Sequence, residues 1–306
     1  MTQSTEVEMI VDVGGTCLHA RITGSCDRFP AIVLEAGGGG TSDWWAWVEP
    51  RLAAKAKVVS YDRAGLGKSG VVPRQVDAAS AAARLHALLG AMSIDPPYIL
   101  VGHSLGGLLV KYFAAAFPSD IAGAVLVDPT NSDPRALSWW SGAVLRGFVG
   151  MQRFAGAGAR LIGETPPLPF SRLVAGLPPH ARSSALAAMN EPHHLQTFAK
   201  ELKAIGAIQR QLIARPFPRR VPLLVVSAGR KRGWQTQSSE AGTALHRSIW
   251  SHHIEAARES DFGDYRTIPD ADHGTILTDE RCADQLARHI LDFTAKCAAM
   301  RPRTQN

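Results

Sequence analysis

Cysteine is scarce: the 306 residues hold four, Cys17, Cys26, Cys282 and Cys297. No two of them stand at metal-ligand spacing, which excludes a cysteine-built metal centre. They read as free thiols of a cytoplasmic protein, with a Cys17 to Cys26 bridge across a hairpin left open. Excess charge is thin as well. Lys and Arg number 33 against 27 Asp and Glu, a net charge of +6, and the basic residues are scattered apart from Arg219-Arg220 and Arg230-Lys231-Arg232. No aromatic side chains interleave with them as a stacking groove would need, so nucleic acid is excluded as a partner. No apolar run approaches the roughly 20 residues that span a membrane. The start, Met1-Thr2-Gln3-Ser4-Thr5-Glu6, lacks the basic stretch and apolar core of a secretory leader.

What is present is ordinary globular chemistry, 45% hydrophobic and 20% charged, in a length that suits one α/β domain with an insertion or two small domains. Val7 to Val13, Gly14-Gly15 and Thr16 to Thr23 alternate at the strand period around a two-glycine turn, which predicts an opening hairpin. Further strands are expected at Ala31 to Leu34, Lys57 to Tyr61, Tyr98 to Val101, Ile121 to Val127, Val221 to Ser227 and Tyr265 to Ile268. Val76 to Met92 reads as a helix with Leu85, Leu88 and Leu89 on one face, and Asp279 to Lys296 as a closing helix.

The chain is organised around Tyr98-Ile99-Leu100-Val101-Gly102-His103-Ser104-Leu105-Gly106-Gly107. An apolar β-branched run enters a tight glycine-flanked turn and leaves as a helix, the pattern of a nucleophile elbow that presents Ser104. Glycines two residues to either side let strand and helix pass closely. Upstream, Gly37-Gly38-Gly39-Gly40 follows a buried strand, where unobstructed amides can turn toward a developing oxyanion. Asp62-Arg63-Ala64-Gly65-Leu66-Gly67-Lys68-Ser69 has the residue types of a phosphate loop but not its spacing, since only Leu66 separates Gly65 from Gly67-Lys68; it reads as a tight turn capped by Asp62.

From Thr130 to about Pro218 the strand signal stops and prolines rise, with helical stretches at Ala181 to Met189 and Leu195 to Ile213. An all-helical insertion between two strands of a parallel sheet sits over the strand ends, so 130–216 reads as a cap on a core formed by 1–129 and 217–306. Trp44, with Trp45 and Trp47, either walls a substrate pocket or packs on the sheet. The same two readings stand for Trp139, Trp140 and Met151, together with Phe148 and Phe154, within the cap.

His273 lies in Asp270-Ala271-Asp272-His273-Gly274 after the last strand, placed to act as base for a hydroxyl whose own pKa is far above neutrality. Through these motifs the chain resembles the α/β-hydrolase family over nearly its whole length. The residues that carry the likeness are Leu34 to Gly40, Tyr61 to Ser69, Gly102 to Gly107 and Ala271 to Gly274. The resemblance implies a mostly parallel central sheet flanked by helices, Ser104 as nucleophile, His273 as base, and an oxyanion hole from the amides of Leu105 and, by position, Gly38. It also implies that neither metal nor organic cofactor is needed.

Two departures from the family pattern stand out. The usual His-Gly before the oxyanion residue is Ala36-Gly37, and no carboxylate follows the next-to-last strand before Glu240. A family variant takes the acid from the strand after the elbow helix, where Asp128 stands; Glu240 and Asp133 are the alternatives. The function so implied is hydrolysis of a small or medium apolar carboxylic ester or lactone through an acyl-enzyme. The same triad serves amide or carbon–carbon bond hydrolysis and acyl transfer, and the same fold can serve as a ligand receptor.

Overall fold

The computed structural model describes residues 6–71, 77–133, 173–230 and 240–300. Among these, β1 (Glu6–Asp12), β2 (Cys17–Thr23), β3 (Ile32–Glu35), β4 (Val58–Tyr61), β5 (Tyr98–His103), β6 (Ile121–Val127), β7 (Leu223–Ala228) and β8 (Gly263–Ile268) form one sheet in the order β1-β2-β4-β3-β5-β6-β7-β8. β1 and β2 run antiparallel around Gly14 and Gly15, whose φ of 60° and 83° are the left-handed values that a tight hairpin turn requires. β2 is antiparallel to β4, and from β4 to β8 every pairing is parallel. The hairpin, the six further strands and the α/β class expected from the sequence are all present. Cys17 and Cys26 are both free thiols, so no bridge joins them across the hairpin.

Strands β3 to β7 are buried along their whole length, as parallel strands covered on both faces must be. Their side chains divide by the strand period. Ile32, Leu34, Ile99, Val101, Val125 and Val127 pack with α1 (Glu49–Ala53) and the closing helix Glu280–Met300. Val33, Leu100, Ala124 and Leu126 pack on the other face with α2 (Ala78–Ala91) and α3 (Leu105–Ala116). At the start of the β5/β6 ladder the pairing slips by one residue, from Tyr98 opposite Ile121 to Ile99 opposite Gly123. Ile121 accordingly faces the same side as Ala124, and Ala122 the same side as Val125.

The chain passes from β3 to β4 in one direction and from β4 to β5 in the other, so the strand order reverses beside β3. Crevices in such sheets open at the carboxyl ends of the strands at this switch point. There β3 delivers the glycine run and β5 delivers Ser104. The segment 173–216 contributes α4 (Pro179–Asn190) and α5 (Pro192–Ala214). α4 buries Ala181, Ala185 and Met189 at four-residue intervals in the same cluster as Trp44 and Trp45, while α5 buries Ala204, Ile205, Ile208 and Leu212 against Leu105, Leu108 and Leu109 of α3. The last elements are α6 (Glu240–Ala257), α7 (Thr275–Thr278) and α8 (Glu280–Met300).

The elbow glycines are required by packing. A Cβ on Gly102 would lie 2.4 Å from Gly106 O, and one on Gly106 would lie 2.5 Å from Glu35 O and 2.6 Å from Ala36 O. Since backbone must then move, Gly106→Ala is expected to destabilise the protein by about 1–3 kcal/mol in urea titration. Gly90, in α2 with nothing within 4 Å of its would-be Cβ, is the control: Gly90→Ala is expected to stabilise by about 0.4–1 kcal/mol.

Candidate active site

Ser104 occupies the turn between β5 and α3 at φ 53°, ψ −118°, a strained conformation for a residue with a side chain. The turn is fixed by its backbone: Ser104 N donates to Val127 O (3.1 Å), and Ser104 O accepts from Gly107 N and Thr130 N (3.0 Å each). The Ser104 side chain is thereby raised above the sheet edge. Its Oγ is 3.0 Å from His273 Nε2 and 3.5 Å from Thr130 Oγ1.

His273 arrives on the loop after β8. Asp272 folds that loop by accepting from Gly274 N (3.0 Å) and Thr275 N (2.9 Å), while Asp272 N donates to Thr275 Oγ1 (2.7 Å). His103, the last residue of β5, donates from Nε2 to His273 O (2.9 Å), and the two imidazoles lie tilted at 36° to each other with centroids 4.7 Å apart. The elbow strand thus tethers the histidine that approaches its serine. His273 Nδ1 is 2.5 Å from Asp128 Oδ2.

Asp128 follows β6 directly, at φ 40°. It is buried, and its Oδ1 accepts from Ala228 N at 3.0 Å. Behind it lies a second buried imidazole: His253 Nε2 donates to Pro129 O (2.9 Å), so that Nδ1 faces Ser227 Oγ (2.6 Å) and lies 3.8 Å from Asp128 Oδ1. Of the other acids considered, Glu240 opens α6 and its side chain is outside the described set, while Asp133 N donates to Asn131 Oδ1.

The glycine run lies against the elbow. A Cβ on Gly37 would meet His103 Nδ1 at 2.9 Å and Ser104 Cβ at 3.3 Å. Gly40 N donates to Gly37 O (3.0 Å) and Gly39 N to Glu201 Oε2 (2.8 Å), so those two amides are committed. Gly38 N and Leu105 N have no such bond among the described residues, and Gly38 packs against the Leu105 side chain. A small apolar cleft opens beside Gly38, lined by Trp44, Leu173, Met189, Leu195 and Phe198. Trp44 lines this cleft and also belongs to the buried cluster on the sheet, whereas Trp45 is wholly buried and Trp47 donates to Gly176 O (2.8 Å). Trp139, Trp140 and Met151, with Phe148 and Phe154, lie outside the described residues.

The family model for the alpha/beta hydrolase fold matches residues 30–258. The chain belongs to the α/β-hydrolase family. An AB hydrolase superfamily protein of Gibberella zeae is 35% identical over 105 residues, 32% of this chain and 32% of that one, so the match spans about a third of that relative's length. The proposed carbamate hydrolase RutD of Klebsiella pneumoniae is 32% identical over 211 residues, 65% of this chain and 73% of its own. The Cif epoxide hydrolase from Acinetobacter nosocomialis superposes with a TM-score of 0.72 over 94% of this chain and 88% of its own, at 19% identity, a likeness of fold. No helix among the described residues of this α/β hydrolase is long and apolar enough to cross a membrane.

Several residues of this α/β hydrolase were not singled out from the sequence. Asp62 does more than cap its turn: besides accepting from Lys68 N (3.0 Å) it accepts from Ser42 N (2.7 Å) and faces His19 Nδ1 (3.0 Å), contacts that hold its carboxyl below the ordinary range despite burial. Arg63, Glu201 and His194 surround the glycine run, and Ser227 and His253 back Asp128. The available signal was polar type at inward positions: His194, Thr197 and Glu201 interrupt the apolar stripe of a helix at its own period.

Proposed function

We propose that the protein is a serine hydrolase of small or medium apolar carboxylic esters or lactones, with Ser104 as nucleophile, His273 as base and Asp128 as the orienting acid. The observation that carries this reading is one imidazole with Nε2 at 3.0 Å from Ser104 Oγ and Nδ1 at 2.5 Å from Asp128 Oδ2. His273 takes the Ser104 proton as Oγ attacks the acyl carbonyl, and Asp128 stabilises the imidazolium that forms. The tetrahedral oxyanion receives hydrogen bonds from the Gly38 and Leu105 amides. His273 then protonates the leaving alkoxide, and water activated by the same imidazole releases the acid. Asp128 is preferred to Glu240 and Asp133 because its carboxylate faces Nδ1 while its other oxygen is held by Ala228 N.

The apolar cleft beside Gly38 suits the acyl group, with 130–216 acting as the cap above it. The chemistry needs no metal or organic cofactor, and the unbridged Cys17 and Cys26 suit the cytoplasm. Carbamate cleavage is a second reading of the same acyl chemistry, favoured by the RutD relative. Epoxide opening on this scaffold uses an aspartate nucleophile, and Ser104 stands in that place.

The test is a panel of p-nitrophenyl esters from acetate to decanoate, a p-nitrophenyl carbamate and styrene oxide, alongside labelling by a fluorophosphonate probe. Ester turnover with labelling is the expected result. Epoxide turnover without ester turnover would overturn the reading, and ligand-dependent melting with neither turnover nor labelling would favour a receptor.

A further inference from the structure

The glycine run is held from outside its own strand. His194, Thr197, Phe198 and Glu201 stand at i, i+3, i+4 and i+7 on α5, so they share one helix face, and that face meets the two loops following β3 and β4. Glu201 receives Arg63 in a forked contact, Nε to Oε1 at 2.7 Å and Nη2 to Oε2 at 3.1 Å. The same guanidinium donates to Glu35 Oε1 and Ala36 O (2.6 Å each) and to Gly37 O (2.7 Å). Glu201 Oε2 also accepts from Gly39 N at 2.8 Å. His194 completes the hold: Gly67 N donates to its Nδ1 (3.1 Å), and its Nε2 donates to Gly39 O (2.9 Å). Burial keeps the His194 pKa below its ordinary value, in keeping with a neutral ring that accepts on one side and donates on the other.

The contact with Gly37 O has a direct geometric result. The Gly37 carbonyl and the Gly38 N–H belong to one planar trans peptide and point in opposite directions. Arg63 pulling on the carbonyl therefore aims the Gly38 N–H the other way. Gly39, at φ 65°, leaves the space that the Phe198 ring of α5 occupies, since a Cβ there would lie 2.7 Å from that ring. Further along, Ile205, Ile208 and Leu212 of the same helix pack on α3, whose first residue, Leu105, supplies the other amide.

We infer that Glu201 and His194 are positioning residues of the oxyanion site, fixing through Arg63 and Gly39 the peptide plane that aims the Gly38 N–H. The inference rests on the ester-hydrolase reading. It makes α5 part of the catalytic scaffold rather than a mobile piece of the cap.

Paired replacements at His194 provide the test. In His194→Gln the amide nitrogen reaches the place of Nε2 and keeps the bond to Gly39 O; in His194→Asn the side chain reaches only as far as Nδ1 and loses it. Glu201→Gln removes the charge opposite Arg63 with little change of shape. Removing an oxyanion donor outright costs about 10²–10³ in kcat, so misaiming one is expected to cost about 10- to 100-fold in Glu201→Gln and His194→Asn, with KM within about threefold. His194→Gln should stay within about threefold of wild type in kcat. A trifluoromethyl ketone, which forms a tetrahedral adduct on the serine, should lose affinity in step with kcat/KM, while binding of the product acid is unchanged.

Hydrogen exchange at the Gly39 amide, quickened in Glu201→Gln, reads the hold without relying on turnover. Equal kcat in all three variants, or equal losses of ketone and product binding, would overturn the inference while the hydrolase reading stands. A wild type with neither turnover nor labelling removes both, whatever the exchange rates.

Discussion

Ser104→Ala is expected to lower kcat for p-nitrophenyl ester hydrolysis by at least about 10⁴-fold and to abolish fluorophosphonate labelling. The loss is large because serine, imidazole and carboxylate act as a unit: without Oγ there is no acyl-enzyme, and water attacking from outside lacks the 3.0 Å contact with His273 Nε2. Stability should hardly move. The bonds that shape the elbow run through Ser104 N and O, to Val127 O and from Gly107 N and Thr130 N, and alanine keeps them all. Thermal melting of the variant within about 2 °C of wild type, the displacement expected of a change of no more than about 1 kcal/mol in a chain this long, together with loss of activity, marks the effect as chemical. Retained turnover would take the nucleophile away from Ser104.

Asp128→Asn is expected to cost about 10⁴-fold in kcat. The two oxygens of Asp128 have different partners, Ala228 N on Oδ1 and His273 Nδ1 on Oδ2. Asparagine has one oxygen for these two positions. If that oxygen stays with Ala228 N–H, the amide NH₂ faces Nδ1 and drives the proton of the imidazole to Nε2, where it can no longer accept from Ser104. If the amide flips, NH₂ meets the Ala228 N–H head on. That donor–donor contact disfavours the flipped amide, the one orientation that would keep the productive tautomer, so the disabling orientation prevails and kcat is expected to fall far more than KM rises. Activity within about tenfold of wild type would pass the role of acid to Asp133 or Glu240.

The parts that could be read from the chain are those where local geometry permits few residue types. Gly102 and Gly106 announce the elbow because a Cβ at either would strike backbone, and Gly14-Gly15 announces the hairpin because both turn positions are left-handed. His273 and Asp128 were legible at strand ends and were paired by the family resemblance, with Glu240 and Asp133 as alternatives; the structure brings His273 Nδ1 to 2.5 Å from Asp128 Oδ2. The support around the glycine run was not legible. Arg63 lies in a motif that reads as a turn, and Glu201, its partner, comes 138 residues later in a segment whose prolines and helices suggested only a cap. Sequence spacing carries no information about which helix face will reach which loop. Ser227 and His253, brought to 2.6 Å by β7 and α6, were hidden for the same reason.

The slip between Tyr98 and Ile99 against β6 sets where the acid stands. After it, His103 pairs with Val127, so the next residue on each strand is Ser104 on one and Asp128 on the other. Had the opening register of Tyr98 with Ile121 continued unchanged, Leu126 would face His103 and Val127 would neighbour the serine. The carboxylate would then lie one rung further out, about 3.3 Å along the strand, and alternation would send it to the opposite side. Ala122 is the residue that the slip accommodates: with it alone removed, an unbroken ladder from Tyr98 and Ile121 would still set Val127 opposite His103, so the acid keeps its place only while the extra residue and the slip go together.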